Sequence, residues 1–357
     1  MRRSLVWMLI VVLMPGIAAC GGEKTGTRMP EPRVVKITPR NTGDLRVMLG
    51  GDTMFDDLAL PWLMKYGWSY SLAGVAPLLR QADLVNLNLE TAVAAECKRS
   101  YGHYAYYMPP EALAGLVNSG VQVVTLANNH VFDCGEKGLT ATIQNVEKAG
   151  LAHYGGGVTE EEANRPLIVE LGNTKIGFLG MYDYGTGSRK KGTAVISEAN
   201  VRGLIHGLRS KVDVLLVVFH WGTNYVKDFD NKQKKFGRLA LAEGADVVIG
   251  HHPHIPQAVE LYKDKPLIYS LGNFAFGTGN NQAQEGLLAE LVLSGKKIKK
   301  VLFYPLFLQN RDEKVRWQTQ LAQGERGQKT MKNIMRMSGG LGGKMFIRDD
   351  HLELAVK

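Results

Sequence analysis

Two apolar segments, VDVLLVVFHWG (212–222) and ADVVIGHHPH (245–254), decide the fold together with the residues between them. The first is almost entirely aliphatic from Val212 to Phe219, as expected of a strand that is buried on both faces. Residues 231–243 between the two segments are predicted to be helical. A succession of strand, helix and strand is typical of an α/β layered fold.

The alternation of strands and helices continues outward from these segments. Early in the chain strands alternate with helices, whereas apolar β-type pairs dominate after residue 265, so we predict an α/β fold with mixed sheets. Further strands are predicted at 46–50, 83–90, 121–127, 167–171, 175–181, 266–271, 287–293 and 299–308, and further helices at 110–119 and 135–149.

The first 44 residues are predicted to be a leader and a tether. Residues 1–19 have a short basic start and an apolar run that is shorter than the ~20 residues of a membrane span, which is typical of a signal peptide. Small residues precede Cys20, as in a bacterial lipobox, so Cys20 is predicted to be lipidated; an ordinary signal peptide is the alternative. Residues 20–44 are polar with Pro and Gly and are predicted to be flexible.

The rest of the chain is predicted to be one large domain over 45–308 and a basic C-terminal appendage over 309–357, which is partly helical over 330–337. The net charge is +9, but residues 296–357 alone hold 14 Lys and Arg against 6 Asp and Glu. The body is therefore close to neutral, which argues against a nucleic-acid partner. The basic segment is either a solvated surface or a binding surface for an anionic polymer. In an exported protein Cys97 and Cys134 form either a disulfide or two small buried hydrophobic side chains.

Seven polar residues stand at or just beyond the ends of five apolar strands. Ligands of open α/β sheets bind beyond the carboxyl ends of the strands, so residues far apart in sequence converge there. Carboxylates, imidazoles and an amide oxygen, without a thiolate cluster, suit Mn, Fe or Zn. We therefore predict a site for one or two divalent metal ions. The seven residues are Asp52, Glu90, Asn129, His130, His220, His252 and His254.

These segments resemble the CapA family of bacterial capsule-synthesis proteins associated with poly-γ-glutamate, a divergent branch of the calcineurin-like metallophosphoesterases. The resemblance covers most of residues 46–277. It implies two packed mixed sheets flanked by helices, with a metal site at the strand ends. It is carried by GDTM (51–54), NLE (88–90), LANNHVFDCG (126–135), HWG (220–222), GADVVIGHHPH (244–254) and YSLGNFAFG (269–277).

The resemblance also implies a role for each site residue. His130 matches the histidine that assists the leaving group, and Asp133 matches an acid that orients it. Met54 stands where the superfamily has a further metal-binding histidine, which implies a mononuclear or weak site as the alternative to a dinuclear one. His251 receives no role. The implied metal ligands are Asp52, Glu90, Asn129, His220, His252 and His254, and the further site-lining residues are Asn88, Asn128 and Asn273.

Two functions remain open at this point. The first is an extracytoplasmic, metal-dependent hydrolase of phosphoesterase type that acts on a phosphoester or on an anionic envelope polymer. The second is a non-catalytic component for polymer assembly or export, which binds the polymer and capsule-synthesis membrane proteins and uses the metal site structurally. Both readings anchor the protein to a membrane through lipid on Cys20 and give it no nucleic-acid partner.

Overall fold

The computed structural model describes residues 29–97, 105–184, 192–308 and 315–356. The predicted leader and the lipidation of Cys20 lie outside these residues. The strands are β1 (Arg33–Ile37), β2 (Leu45–Met54), β3 (Leu84–Leu89), β4 (Ala92–Val93), β5 (Tyr107–Met108), β6 (Val123–Thr125), β7 (Ala152–Tyr154), β8 (Leu167–Leu171), β9 (Thr174–Tyr182), β10 (Val214–His220), β11 (Val247–His251), β12 (Val259–Tyr262), β13 (Lys265–Ile268), β14 (Asn273–Phe276), β15 (Glu285–Ser294), β16 (Lys297–Phe307), β17 (Gln320–Leu321), β18 (Met345–Ile347) and β19 (Leu352–Ala355).

Most of these strands form two large mixed sheets within the described ranges. The first has the order β1-β8-β9-β10-β11-β13-β12, and its central strands β9, β10, β11 and β13 are parallel. The second has the order β18-β19-β16-β15-β2-β3-β6-β7, with β14 beside β2 and β17 beside β16. In this sheet β2, β3, β6 and β7 are parallel, whereas β15 runs antiparallel to β2. The short strands β4 and β5 pair separately.

The two large sheets pack face to face and helices cover their outer faces. Val47 of one sheet and Leu216 of the other are fully buried in a shared apolar layer between the sheets. A second layer lies under the four helices within residues 60–148 and a third under the two helices at 198–209 and 231–243. The predicted layered α/β fold is thus confirmed. The helices are α1 (Leu60–Tyr66), α2 (Ala76–Leu79), α3 (Leu113–Asn118), α4 (Gly135–Lys148), α5 (Glu160–Ala163), α6 (Glu198–Arg209), α7 (Asn231–Glu243) and α8 (Gly324–Met337).

Two segments at the ends of the chain differ from their predictions. Part of the predicted tether forms β1, which pairs in parallel with β8 at the edge of a sheet. The predicted appendage supplies β19, which pairs with β16, and α8, whose Met331 and Ile334 are buried in the layer between the sheets. Residues 330–337 of α8 fall within the predicted helical part of the appendage, whereas β1 and the start of α8 have apolar positions too sparse to stand out without the sheet they pack against.

Helix α6 is absent from the predicted elements, although the sequence carries its signal. Val201, Leu204, Ile205 and Leu208 are buried and have the spacing of one helix face. Ser197 caps the first turn by accepting a hydrogen bond from the Asn200 backbone N–H. Among the described residues, no helix combines the length and the apolar character that a membrane span requires.

Candidate metal centre

The carboxyl ends of strands from both sheets meet at one edge of the sandwich. Asp52 lies near the end of β2, and Glu90 directly follows β3 of the same sheet. His220 is the last residue of β10, and His252 directly follows β11. His254 Nδ1, three residues beyond β11 of the first sheet, lies 3.2 Å from Asp52 Oδ2 of the second sheet. The prediction that these strand ends converge is therefore confirmed.

The end of β2 is held against a neighbouring loop by a contact that requires glycine. The Asp52 backbone N–H donates to the Gly272 carbonyl oxygen at 3.0 Å. A Cβ atom on Gly51 would lie 1.8 Å from that same oxygen, so a side chain at this position would force the two segments apart. The close approach also places Asn273, the residue after Gly272, beside the cluster.

Glu90 lies at the centre of the buried cluster. Its side chain is fully buried, and Oε1 lies 3.4 Å from His220 Nε2 and 3.9 Å from His254 Nε2. Ligand atoms of Asp52, Glu90 and His220 all lie within 4.8 Å of one another, and so do those of Glu90, His252 and His254. Glu90 belongs to both groups, so it would be the carboxylate shared between them if each group held an ion.

The cluster fits a cation because buried polar atoms in it lack partners. Within the described residues, Glu90 Oε1, His252 Nδ1 and both ring nitrogens of His251 are buried without a hydrogen bond. A buried carboxylate oxygen that accepts no hydrogen bond is costly, and a metal ion removes that cost by coordination. The donors are carboxylate oxygens and imidazole nitrogens, which suit Mn, Fe or Zn.

The pKa values of the cluster follow from burial and from the neighbouring charges. Burial, followed by repulsion from Asp52, raises the pKa of Glu90 well above its usual value. Burial would also raise the pKa of Asp52, but the imidazoles of His251 and His254 outweigh it and hold this pKa well below its usual value. Burial lowers the pKa of His252 to about 3, which keeps its imidazole neutral as a metal ligand must be.

Two asparagines predicted to line the site hold the carboxylates in place. Asn88 Nδ2 donates to Asp52 Oδ1 at 2.8 Å and to Glu90 Oε2 at 3.3 Å. Asn88 Oδ1 in turn accepts from Asn128 Nδ2 at 3.0 Å. The Asn128 side-chain oxygen also accepts the backbone N–H of His130, which shapes the turn after β6. Both residues therefore orient the predicted ligands through hydrogen bonds.

Asn129 meets His220 directly. Its Oδ1 lies 2.7 Å from His220 Nε2, and the same nitrogen is 3.4 Å from Glu90 Oε1. Burial, followed by the charge of His252, holds the pKa of His220 well below its usual value, so this imidazole is neutral. The amide oxygen and the imidazole nitrogen thus contact each other across the two sheets.

His252 and His254 converge through a turn after β11. Their φ angles are +97° and +59°, in the left-handed region that non-glycine residues rarely adopt. The ring centroids lie 6.0 Å apart. Asn273 Oδ1 accepts a hydrogen bond from His254 Nδ1 at 2.8 Å, which leaves Nε2 of His254 as the ring nitrogen available to a metal. Strained backbone of this kind is concentrated at functional sites.

His130 stands at the rim of the cluster, where Asp133 orients it. His130 Nδ1 donates to Asp133 Oδ2 at 2.7 Å, and the Tyr106 backbone N–H donates to the same oxygen at 2.7 Å. The Tyr106 ring packs against the His130 imidazole with centroids 4.7 Å apart. Next in the chain to Asp133, Cys134 forms a disulfide with Cys97, which settles the alternative left open by the sequence and anchors this loop.

His251 is a site residue that the sequence analysis leaves without a role. It is 1% exposed, and its Nδ1 lies 3.4 Å from Asp52 Oδ1 without hydrogen-bond geometry. Strand register carries the signal that identifies it, because His251 of β11 pairs directly with His220 of β10. Paired residues on adjacent parallel strands point to the same face of a sheet.

Met54 fills the position where the resemblance expects a further histidine ligand. Its side chain is fully buried in a small apolar cluster with Tyr106 and Phe276. Its sulfur accepts the Asp56 backbone N–H at 3.0 Å. Phe276 also packs against His254 at 4.7 Å between ring centroids. Met54 therefore supports the aromatic wall of the site instead of supplying a nitrogen ligand.

The chain is similar to capsule biosynthesis proteins and to a solved structure. The chain is 26% identical to the capsule biosynthesis protein CapA of Bacillus anthracis over 295 residues, which are 79% of this chain and 71% of that protein. It is 29% identical to the PGA biosynthesis protein CapA of Bacillus subtilis over 224 residues, and thus spans 59% of that relative's length. A 5'-nucleotidase structure from Candida albicans aligns with 84% of this chain and 60% of its own at 9% identity and a TM-score of 0.45.

The family itself is defined by a match that covers most of the chain. The model of the family described as bacterial capsule synthesis protein PGA_cap matches residues 46–278. The matched region begins in β2, ends after β14 and contains every residue of the candidate metal centre described above. This chain belongs to the family of bacterial capsule synthesis proteins PGA_cap.

Proposed function

We propose that this protein serves the synthesis or export of an envelope polymer of the poly-γ-glutamate type, and that its metal centre is a hydrolytic site of phosphoesterase type. The proposal rests on one observation: buried Glu90 belongs to two separate groups of side chains that could each hold a metal ion. Two ions that share a carboxylate are a recurrent device for cleaving phosphate esters. The names of the Bacillus relatives support the assignment to a capsule pathway.

Each residue of the site has a defined task under this proposal. A bound divalent ion supplies Lewis acidity and an activated water. His130 donates a proton from Nε2 to the leaving group, while Asp133 holds Nδ1 and fixes the orientation of the ring. The proposed ligands of one or two ions (Mn, Fe or Zn) are Asp52, Glu90, Asn129, His220, His252 and His254.

The proposal includes a location and partners. The protein acts outside the cytoplasm as a lipoprotein anchored through Cys20, next to membrane proteins of the same polymer pathway. Its substrate is a phosphoester or an anionic envelope polymer. Globomycin treatment, which blocks lipoprotein signal cleavage, tests the location: retention of the leader supports the anchor, and unaltered processing contradicts it.

The decisive experiment measures metal content and turnover of the purified chain. Wild type loaded with Mn²⁺ is assayed on phosphodiester, phosphomonoester and γ-glutamyl substrates. We expect His130→Gln to keep its metal and to lose about 10²- to 10⁴-fold in kcat, the usual contribution of general acid catalysis. His206→Gln is the matched control, because His206 is an exposed residue of α6. A metal-loaded wild type that turns over none of the three substrates contradicts the hydrolase assignment.

A second candidate, a non-catalytic assembly component with a structural metal, is favoured by Met54. Buried Met54 stands where the resemblance implies a histidine ligand, so a bound ion would have one nitrogen ligand fewer. This alternative predicts that polymer production survives His130→Gln but fails in His252→Ala. The hydrolase predicts that production fails in both variants.

A further inference from the structure

A groove leads away from the metal centre along the C-terminal helix. Tyr225 lies at its start, with its ring centroid 5.8 Å from that of His254, and its backbone N–H donates to the Pro253 carbonyl oxygen. Ile255 and Pro256, the next residues after His254, line the groove. From there a cavity of about 400 Å³ runs between α8 and the segment before β15. We name this cavity the α8 groove.

The outer wall of the α8 groove lies beyond the region that the family model matches. That region ends at residue 278, whereas α8 spans Gly324–Met337. The helix is fixed in place, because Ile334 is buried in the layer between the sheets and the Ser338 hydroxyl accepts the Val259 backbone N–H at 2.9 Å. The groove is therefore preformed, which reduces the entropic cost of binding.

The chemistry of the lining combines three kinds of group. Ile255 and Met337 supply apolar surface. Gln284 and Asn333 supply side-chain amides, which both donate and accept hydrogen bonds. The charged groups are Lys227, Arg336 and the acid Glu285, and none of the three forms an ion pair within the ranges that the structure describes. With two cations and one acid, the lining of the groove carries a net positive charge.

We propose that the α8 groove binds a segment of an anionic polyamide chain, with carboxylates at Lys227 and Arg336 and its backbone amides at Gln284 and Asn333. Such a chain alternates methylene, amide and carboxylate groups, which matches the three kinds of lining group. The inference rests on the proposed function, because it makes the groove the path by which the polymer reaches the metal centre. It goes further by assigning polymer recognition to the C-terminal helix.

The test measures binding of a fluorescein-labelled oligomer of γ-linked glutamate to the full chain by anisotropy. We expect the double variant Lys227→Gln/Arg336→Gln to weaken binding at least about tenfold, since each loses a hydrogen bond between charged groups. Lys329→Gln/Lys332→Gln is the matched control: it removes the same charge from exposed positions of α8 outside the groove. We expect the control to change the Kd less than about twofold, because charges outside the contact act weakly through salt solution.

A third variant is expected to strengthen oligomer binding instead of weakening it. Glu285→Gln removes the acid from the groove, so we expect it to tighten oligomer binding. Equal losses in the two double variants, or no loss in either, overturn the proposal. A glycerol-phosphate polymer that binds with the same groove dependence, while the glutamate oligomer binds without it, overturns the polyamide assignment.

The same measurement in EDTA separates the groove from the hydrolytic site. Groove-dependent binding that persists in EDTA, alongside an absence of turnover by the Mn²⁺-loaded chain, refutes the hydrolase and keeps the groove. Turnover of γ-glutamyl substrates that is unaffected by Lys227→Gln/Arg336→Gln keeps the hydrolase and refutes the groove.

Discussion

Strand β2 carries a buried polar cluster at each end, and the two clusters differ in how their charges are satisfied. At the amino end, Glu290 accepts hydrogen bonds from Arg46 Nε at 2.6 Å, Arg46 Nη2 at 2.9 Å and the Tyr304 hydroxyl at 3.1 Å. Nearby, Asp83 Oδ1 accepts the backbone N–H of Arg40 and of Asn41, and Oδ2 accepts that of Arg46. These carboxylates are saturated with donors.

At the carboxyl end the carboxylates are equally buried but incompletely paired. Glu90 Oε1 has no hydrogen bond among the described residues, and neither has His252 Nδ1. The backbone of His252 and His254 is strained as well. A cluster that satisfies itself contributes to stability, whereas a cluster with unpaired buried atoms is stabilised when a ligand completes it. The contrast identifies the carboxyl end as the functional one.

The largest stability loss is expected at the saturated end. Glu290→Ala removes the partner of Arg46, and breaking a buried ion pair costs about 3–5 kcal/mol in the free energy of unfolding. Glu290 is 1% exposed and Arg46 26% exposed. Urea denaturation measures the change, with Glu198→Gln of an exposed pair as a control that should lose less than about 1 kcal/mol. Similar losses in the two variants would show that the amino-end cluster is not structural.

An intermediate loss of stability is expected from His153, because only one of its two ring nitrogens has a hydrogen-bond partner among the described residues. Its Nε2 lies 3.2 Å from Glu147 Oε1, while Nδ1 is buried without a partner in the described part of the chain. Burial, followed by the charge of Arg33, lowers the pKa of His153 to about 4. Because the unfolded chain then takes up a proton at higher pH than the folded one, stability falls as the pH drops from about 6.5 to about 4.

The expected loss from His153 between pH 7.5 and pH 5 is about 2 kcal/mol. Urea denaturation at the two pH values measures it in wild type and in His153→Gln, which cannot titrate. We expect the variant to lose about 2 kcal/mol less than wild type over this range. The same loss in both proteins would mean that His153 titrates alike in the folded and unfolded states.

The sequence predicts the metal centre better than the structure of the two chain ends. The strands that lead to the metal centre have a strong apolar pattern, whereas the elements at the chain ends have a weak one. Asp52, Glu90 and His220 each follow a run of aliphatic residues, and the carboxyl ends of such strands must share an edge. His251 escapes prediction because its alignment with His220 depends on strand register, which one strand alone does not encode.

Strand β1 and the start of helix α8 are not predicted from the sequence, for a different reason. The side chains of β1 alternate between half-buried and exposed, so its apolar signal is weak. Only the start of α8 is missed, since residues 330–337 fall within the helix that the sequence favours. Elements at the edge of a fold depend on tertiary contacts more than on their own pattern.

The smallest stability effect without metal is expected for Glu90→Gln, and this variant tests the contrast most sharply. Gln keeps the shape of Glu and removes the ionisable carboxyl group that is buried beside Asp52, so in EDTA the free energy of unfolding should change by less than about 1 kcal/mol or rise. With Mn²⁺ at about 100 times its Kd, wild type should gain about 2.7 kcal/mol, whereas the variant should gain little because both groups of ligands lose their shared carboxylate. Thermal unfolding with and without Mn²⁺ measures the two states. An equal gain in the variant would mean that Glu90 holds no ion, and a large loss in EDTA would make the carboxyl end a structural cluster like the amino end.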